Sequence, residues 1–313
     1  GEVRWRWGTS MRVAGGRMRG RAERRRFLPG WLGMCFSKGR VDVGVMGIKL
    51  MGTGATLGRL VSSFRSPAEI AASGWWTALS PPFKFTLDNY TGVLNTSNLG
   101  TSFFNSFMIT IPATVIPVSI AAFAAYAFSW MNFWGRDFFF LALVGLLPVP
   151  LQATFIPILS LFVKFGLTPE NVGFLGLWLA HTGYGLPFAI YLLANFFRSL
   201  PTDLFESAEI DGAGTLTVFF RIVLPLSVPA IASLVIFQFL WIWNDYLVAL
   251  IYVGGTADFA PLTVTIANLV NSNGQGWELL TAAAFFSMIV PLIVFFSLQR
   301  FFVRGILAGS VKG

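Results

Sequence analysis

The side chains with the greatest scope for chemistry are crowded into residues 199–229. There Asp203 precedes Glu206 by three residues, a spacing typical of a helix whose first turn is capped by side chains. The pattern predicts a short amphipathic helix over about 204–211, ended by Gly212, with a second short helix after it that runs to Ile222. Carboxylates on the polar face of such a helix can pair with cationic groups on another molecule.

The acidic character of this helix indicates what it contacts. An amphipathic helix can lie on a lipid surface or fill a groove on a partner protein. A lipid-bound helix favours Lys and Arg on its polar face, whereas this one carries Glu206, Glu209 and Asp211. We therefore expect a protein partner.

Polar residues at the ends of apolar segments form a second group of candidates. Asp245 follows Trp241 and Asn244, and aromatic faces beside amide groups suit a path or gate for sugars. The alternative is an aromatic anchor at the membrane interface, with the carboxylate satisfied by the protein. We expect His181 and Gln152 to lie within spans, where they either line a path or form hydrogen bonds between helices.

Other chemistry has little support. Cys35 and His181 are the only Cys and His, which excludes an intrachain disulfide and the usual metal clusters of these residues. The sequence has no Gly-x-x-x-x-Gly-Lys-Ser/Thr phosphate loop, so we expect no catalysis and no cofactor or metal. A membrane enzyme that uses Asp245 and His181 is an alternative, but the ionisable groups are too few for an acid–base cluster.

The chain that carries these candidates is very apolar. Its 313 residues are 55% hydrophobic and 12% charged, with a mean hydropathy of +0.69, about half the charged fraction of a soluble domain. Disorder and an ordinary soluble enzyme are therefore excluded. Five apolar windows without charge are long enough to cross a bilayer as helices, which takes ~20 residues. They are 103–131, 138–163, 171–197, 222–244 and 279–299.

Loop charges predict the orientation of these spans. Lys and Arg favour the cytoplasmic side, and they occur in the connection 198–221 and near the C-terminus but not in 254–278. The external side then includes 65–102, and one more crossing is required before residue 65. The only candidate, 41–64, contains three charged residues and five glycines, which make it a doubtful span. Residues 1–40 hold eleven Lys and Arg against two acids, and we predict a basic cytoplasmic arm that helps to fix orientation, not a nucleic-acid-binding segment.

Three short stretches resemble the EAA motif of binding-protein-dependent ABC importer permeases. The family pattern is Glu-Ala-Ala, three residues, Gly, nine residues and Ile-x-Leu-Pro. The matching stretches are Glu206-Ser207-Ala208, Asp211-Gly212-Ala213 and Ile222-Val223-Leu224-Pro225, with Ser207 in place of an Ala. Further stretches are similar to the second permease of maltose and α-glucoside importers, and the resemblance covers about residues 60–313. These are Asn105-Ser106, Ala124-Ala125-Tyr126-Ala127, Trp243-Asn244-Asp245-Tyr246 and 305–313.

The resemblance implies an all-α polytopic membrane protein with the transmembrane domain of a type I ABC importer. Its core would be five spans within 103–308, preceded by the doubtful span 41–64 and followed by a cytoplasmic tail, 309–313. It further implies an ATP-driven carbohydrate importer of the bacterial inner membrane, with both termini cytoplasmic. A non-sugar solute, or less favourably a secondary transporter, is the alternative.

The resemblance also implies partners and site residues. Residues 204–222 would be a coupling helix seated on a cytoplasmic ATPase dimer, while a second permease and an external sugar-binding protein complete the importer in the lipid membrane. The residues implied to couple to the ATPase are Glu206, Ser207, Ala208, Asp211, Gly212, Ala213, Ile222, Leu224 and Pro225. The candidate substrate path remains Trp241, Asn244 and Asp245.

Overall fold

The computed structural model describes residues 53–95, 98–269 and 276–310, with side chains as far as residue 299. Every regular element within these ranges is helical, which confirms the predicted all-α class. The described residues from Thr56 onward belong to one compact unit. The predicted basic arm 1–40 and the first half of the doubtful span 41–64, residues 41–52, lie outside the described residues.

Four short helices lead into the bundle. They are α1 (residues 53–63), α2 (Pro67–Ala72), a 3-10 helix at Trp75–Leu79, and α3 (Asp88–Asn95). The buried side chain of Arg65 donates to the carbonyls of Glu69 and Ser73, near the end of α2. The predicted external loop 65–102 is thus largely helical, and the next helix begins within it, at Leu99.

The bundle follows in chain order. Its helices are α4 (Leu99–Trp130), α5 (Arg136–Gly145), α6 (Phe155–Lys164), α7 (Pro169–Val172), α8 (Leu175–Phe197), α9 (Thr202–Ile210), α10 (Thr215–Val218), α11 (Leu224–Leu226), α12 (Val228–Trp243), α13 (Leu247–Tyr252), α14 (Leu262–Ala267) and α15 (Trp277–Ser310).

Three of the described helices are long and apolar enough to cross a membrane: α4, α8 and α15 over Trp277–Gln299. Two further helical pieces, Thr215–Leu226 and Val228–Trp243, are apolar enough together but meet at an angle of 73°, as in a broken span or a re-entrant loop. The fifth predicted window, 138–163, is not one helix, because the 3-10 turn Leu151–Thr154 separates α5 from α6. Gln152 lies on this turn with an exposed side chain, and its place within a span stays a prediction.

Hydrogen bonds between helices show that α4 and α8 run parallel. Ser129 Oγ and Trp130 Nε1 donate to the carbonyls of Ala194 and Phe197 at 3.2 and 3.0 Å, where both helices end. Nearer their beginnings, Trp178 Nε1 donates to the carbonyl of Met108 at 3.0 Å. The α9–α10 segment, which we define as residues 202–218, therefore follows α8 at the end of the bundle where α4 stops.

The opposite end of the bundle is closed by residues 258–265. Asn105 Nδ2, nearly two turns into α4, donates to the carbonyls of Asp258 and Ala260, and Ser106 Oγ accepts from the N–H of Leu262 at 2.8 Å. These bonds give the Asn105-Ser106 pair a structural role. The segment 258–265 and the α9–α10 segment thus lie at opposite ends of the bundle, as the predicted topology requires.

Candidate functional site

The α9 helix ends in a left-handed turn at Gly212, as the sequence predicts. Gly212 has φ +70°, its N–H donates to the Glu209 carbonyl at 3.0 Å, and the N–H of Ala213 donates to the Ala208 carbonyl at 2.9 Å. This pair of bonds is the Schellman motif, in which glycine is favoured because a Cβ opposes positive φ. No neighbouring atom lies within 4 Å of the place where a Cβ would project, so the backbone angle alone requires glycine.

The predicted side-chain cap at the start of α9 is wrong. The helix begins at Thr202 with Pro201 in the N-cap position, and no side chain caps it. Because Pro201 is already extended (φ −61°, ψ 130°), the chain can enter the helix directly after it. Asp203 therefore stands in the first turn, where its charge is favourable at the positive end of the helix dipole.

Aromatic contacts fix the α9–α10 segment to the bundle. The ring of Phe205 stacks on the indole of Trp130, with centroids 3.5 Å apart and an interplanar angle of 15°. Tyr126 donates its hydroxyl hydrogen to the carbonyl of Thr215 at 3.3 Å, and Ala208 is buried in the same apolar cluster. The segment therefore packs against α4, and Trp130 of α4 in turn links it to the end of α8.

The polar side of the same segment is left open. Glu206, Ser207, Glu209 and Asp211 are exposed, and no ion pair in the described part of the chain involves these carboxylates. A cleft of about 430 Å³ opens between α9 and α4. Its lining includes Tyr126, Trp130, Thr202, Phe205, Glu206, Glu209 and Ala213. This face can receive an aromatic or cationic group from another molecule.

The second half of the predicted motif, Ile222-Val223-Leu224-Pro225, begins in a π-helix and continues into the short helix α11. The second short helix was predicted to run to Ile222, whereas the structure ends α10 at Val218 and continues as a π-helix over Phe219–Val223. Leu224 N–H donates to the Phe219 carbonyl, and Pro225, which has no N–H, follows immediately. Ile222 and Leu224 pack on the apolar cluster, and Pro225 is exposed.

The candidates of the substrate path lie where α12 ends. Trp241 is partly buried, and the exposed Asn244 donates Nδ2 to the Leu240 carbonyl at 2.7 Å. The carboxylate of Asp245 accepts from the N–H groups of Val248 and Ala249 at 3.4 and 2.9 Å, and so caps α13. The protein therefore satisfies the Asp245 carboxylate, and its role as a path residue or as part of an interfacial anchor stays a prediction.

His181 does not form the predicted hydrogen bond between helices. Its side chain is fully buried in α8, and neither ring nitrogen has a hydrogen-bond partner among the described residues. The Nε2 atom lies 3.9 Å from Asp245 Oδ2, and the ring meets Trp241 edge to face at a centroid distance of 5.6 Å. His181 therefore belongs to the same corner of the bundle as the candidate path.

Sequence reasoning missed two kinds of residue. Trp130 and Phe205 contact each other across 75 positions, and the sequence holds no signal for their stacking beyond an aromatic residue at the end of an apolar window. Gln238 could have been noticed as the only amide within the apolar stretch 222–243. It packs against Gly185 so closely that a Cβ there would lie 2.5 Å from Gln238 Nε2.

Known proteins are similar to this chain over most of its length. The sequence profile of a family described as "Binding-protein-dependent transport system inner membrane component" matches residues 101–308. "Osmoprotective compounds uptake permease protein GgtD" of Synechocystis sp. is 54% identical over 275 residues, which are 87% of this chain and 91% of that protein. "Alpha-glucoside transport system permease protein AglG" of Rhizobium meliloti is 52% identical over 258 residues, or 81% of this chain and 67% of that protein.

Solved structures give the same fold at lower identity. A bacterial ABC transporter involved in the import of the acidic polysaccharide alginate superposes with a TM-score of 0.71 and 22% identity. The superposition covers 84% of this chain and 96% of that one. An alginate ABC transporter in complex with alginate pentasaccharide-bound periplasmic protein gives a TM-score of 0.63 with 15% identity, over 88% and 96% of the two chains.

Proposed function

The chain belongs to the family of binding-protein-dependent transport system inner membrane components, and on this premise we propose how it works as a permease of an ATP-driven sugar importer. The profile match and the relatives above 50% identity confirm the family, the fold class and the permease function that the sequence predicts. The sugar, the partner subunits and the roles of individual residues belong to the proposal.

The proposed substrate is an α-glucoside or a similar small carbohydrate. Support comes from AglG, which is named for alpha-glucosides, and from more distant relatives that are named for arabinooligosaccharides and diacetylchitobiose. GgtD is named for osmoprotective compounds, so a non-sugar solute is the second candidate. Competition between labelled maltose and osmoprotective solutes in an uptake assay separates these two classes.

The α9–α10 segment is the proposed contact with a cytoplasmic ATPase dimer. One observation carries this assignment: the segment is fixed by Trp130 and Tyr126 on its inner side, while its acidic outer side is open. A partner that moves a firmly packed element transmits that movement to the helices behind it. Glu206, Ser207 and Asp211 would then contact the ATPase, whereas Ala208, Ala213, Ile222 and Leu224 pack the segment against the bundle.

The loop charges indicate which side of the membrane each end of the bundle faces. The end that carries the α9–α10 segment also carries Arg136 and Arg198, and we assign it to the cytoplasm, together with both termini. The end with residues 258–265 and α3 would face outward, where a sugar-binding protein delivers its ligand. A second permease subunit would complete the path across the membrane.

Trp241 and Asn244 are the proposed contributors to the outer part of the path. Asn244 is exposed and its amide oxygen can accept a hydrogen bond from a sugar hydroxyl, while Trp241 offers part of an aromatic face. We assign Asp245 a supporting role at this corner, because its carboxylate already receives the N–H groups of α13.

The direct test is uptake by purified components in vesicles. The chain is reconstituted with its second permease, ATPase and binding protein, and entry of labelled sugar is followed with and without ATP. We expect uptake that requires both ATP and the binding protein. Uptake driven by an ion gradient without nucleotide would contradict the proposal and favour a secondary transporter.

A further inference from the structure

Helices α8 and α12 meet along a row of residues that we call the α8–α12 seam: His181, Gly185, Gln238, Trp241 and Asp245. The polar side chains of His181 and Gln238 are buried, and Asp245, just beyond the end of α12, is partly buried. Gln238 lies against Gly185, and one turn further His181 lies against Trp241 and Asp245, so the two helices are antiparallel here. The seam is thus a polar contact between two helices of the spanning bundle.

The seam leaves hydrogen-bonding groups without partners. Both ring nitrogens of His181 and the Nε2 atom of Gln238 are buried, and none has a partner in the described ranges. Burying such groups without a hydrogen bond is unfavourable, most of all where water is excluded. Buried polar groups in native proteins usually have a partner, so each of these groups calls for an explanation.

Asp245 offers that partner at short range. Its Oδ2 atom lies 3.9 Å from His181 Nε2, about 1 Å beyond the usual length of a hydrogen bond. A carboxylate accepts several hydrogen bonds, so Asp245 can receive His181 Nε2–H while it still accepts from Val248 and Ala249. A small displacement of α12 along α8 is sufficient to bring the two atoms together.

The chain leads from the α9–α10 segment to this corner through a short connection. After α10 the chain forms the π-helix and α11, turns by 73° at Ser227, and enters α12, which leads to Asp245. A movement that reaches the start of α12 can be passed on to the seam, because α12 is an unbroken helix of 16 residues.

We propose that His181 is a positioning residue of the transport cycle. In the conformation described, Asp245 caps α13 and His181 has no partner. In the other state of the importer, α12 shifts along α8 and His181 Nε2–H donates a hydrogen bond to Asp245 Oδ2. The α8–α12 seam then has two alternative arrangements, and the ATPase biases them through the α9–α10 segment. This inference rests on the proposed coupling of the permease to ATP hydrolysis.

The first test compares three variants in the reconstituted importer. His181→Ala removes the donor, His181→Gln keeps an N–H donor, and Thr114→Val is the matched control, since the Thr114 hydroxyl is also buried in a spanning helix without a partner. We expect His181→Ala to lower sugar transported per ATP hydrolysed by about tenfold, a typical size for coupling between sites. His181→Gln should retain more of this ratio, and Thr114→Val should resemble the wild type.

The outcomes distinguish a failure of this inference from a failure of the proposed function. If the wild-type importer shows no ATP-driven uptake, both fail. If the wild type transports and His181→Ala behaves as Thr114→Val does, the inference alone is overturned. The same holds if His181→Gln is as impaired as His181→Ala although both assemble with the ATPase.

A second measurement needs no variant that might fail to assemble. His181 is the only His of the chain, so labelling this subunit with ¹⁵N-histidine gives one imidazole to follow by solid-state NMR. We expect its Nε2 signal to differ between the nucleotide-free importer and the vanadate-trapped importer, and the trapped state to show the hydrogen-bonded signal. An identical signal in both states would overturn the inference.

Discussion

The indole of Trp130 lies flat on the ring of Phe205, with centroids 3.5 Å apart, and it donates Nε1–H to the carbonyl of Phe197 at 3.0 Å. Trp130 is the last residue of α4, Phe205 lies in α9, and Phe197 is the last residue of α8. One side chain therefore joins the proposed ATPase contact to two spanning helices. If the segment transmits movement, this junction is where it enters the bundle.

Removing this junction should impair coupling more than membrane insertion. Trp130→Ala removes the stacked contact, worth about 0.5–1.5 kcal/mol beyond its buried area, and also the hydrogen bond to α8. We expect a loss of sugar uptake and faster proteolysis of the α9–α10 segment in membranes. Trp134→Ala is the control, because Trp134 lies four residues further on and is 91% exposed. Equal effects of the two substitutions would contradict the role of Trp130.

The glycines that follow α9 should differ sharply in their tolerance of alanine. Gly212 has φ +70° and Gly214 has φ −69°, and neither has an atom within 4 Å of its missing Cβ. Gly212→Ala should cost about 1 kcal/mol through the backbone angle alone, and should lower uptake and thermal stability of the complex. Gly214→Ala should leave both almost unchanged. The account of the turn fails if Gly214→Ala is the more harmful change.

Charge reversal on the open face of α9 should stop uptake while the protein still inserts. Glu206 is exposed and has no ion-pair partner among the described residues, so Glu206→Lys tests its contact with a partner and not the fold. We expect loss of ATPase copurification and of uptake. Asp137→Lys is the matched control at the same end of the bundle, since the Asp137 side chain is 85% exposed and pairs only with its neighbour Arg136 in the described structure. Copurification that persists in Glu206→Lys at wild-type level would contradict the assignment.

Substitutions of Asn244 and Asp245 should distinguish a residue that contacts the sugar from a residue that caps a helix. Asn244→Ala should raise the sugar concentration needed for half-maximal uptake, because an exposed amide of the proposed path is lost. Asp245→Asn should leave that concentration unchanged, since the amide oxygen can still cap α13, whereas Asp245→Ala should lower stability by about 1 kcal/mol. A change in sugar dependence for Asp245→Asn with none for Asn244→Ala would reverse these two roles.

Much of this architecture could be predicted because it depends on local properties of the sequence. Apolar windows without charge located α4, α8 and α15, and a glycine after an amphipathic run located the end of α9. The window 138–163 was predicted to form one helix and does not, because the absence of charge does not indicate whether a helix is continuous. Pro148 and Pro150, which precede the 3-10 turn, were the signal of the break.

The remaining features depend on residues that are distant along the chain. The stack of Trp130 on Phe205 and the approach of His181 to Asp245 join positions 75 and 64 apart, and they arise from how α4, α8 and α12 pack. The start of α9 was misplaced for a local reason, because Asp203 and Glu206 fit a capping pattern that the preceding Pro201 made unnecessary.

The central claim is that a cytoplasmic ATPase contacts the α9–α10 segment, and crosslinking tests it most directly. Cys35 is the only Cys, so Cys35→Ser gives a background in which Ser207→Cys places one thiol on the exposed face of α9. Thr256→Cys places one at the opposite end as a control. We predict that Ser207→Cys in membranes crosslinks to the ATPase and resists an impermeant thiol reagent added from outside, while Thr256→Cys reacts with that reagent and does not crosslink. A Ser207→Cys thiol that is labelled from outside, or that crosslinks to no nucleotide-hydrolysing protein, would contradict the account.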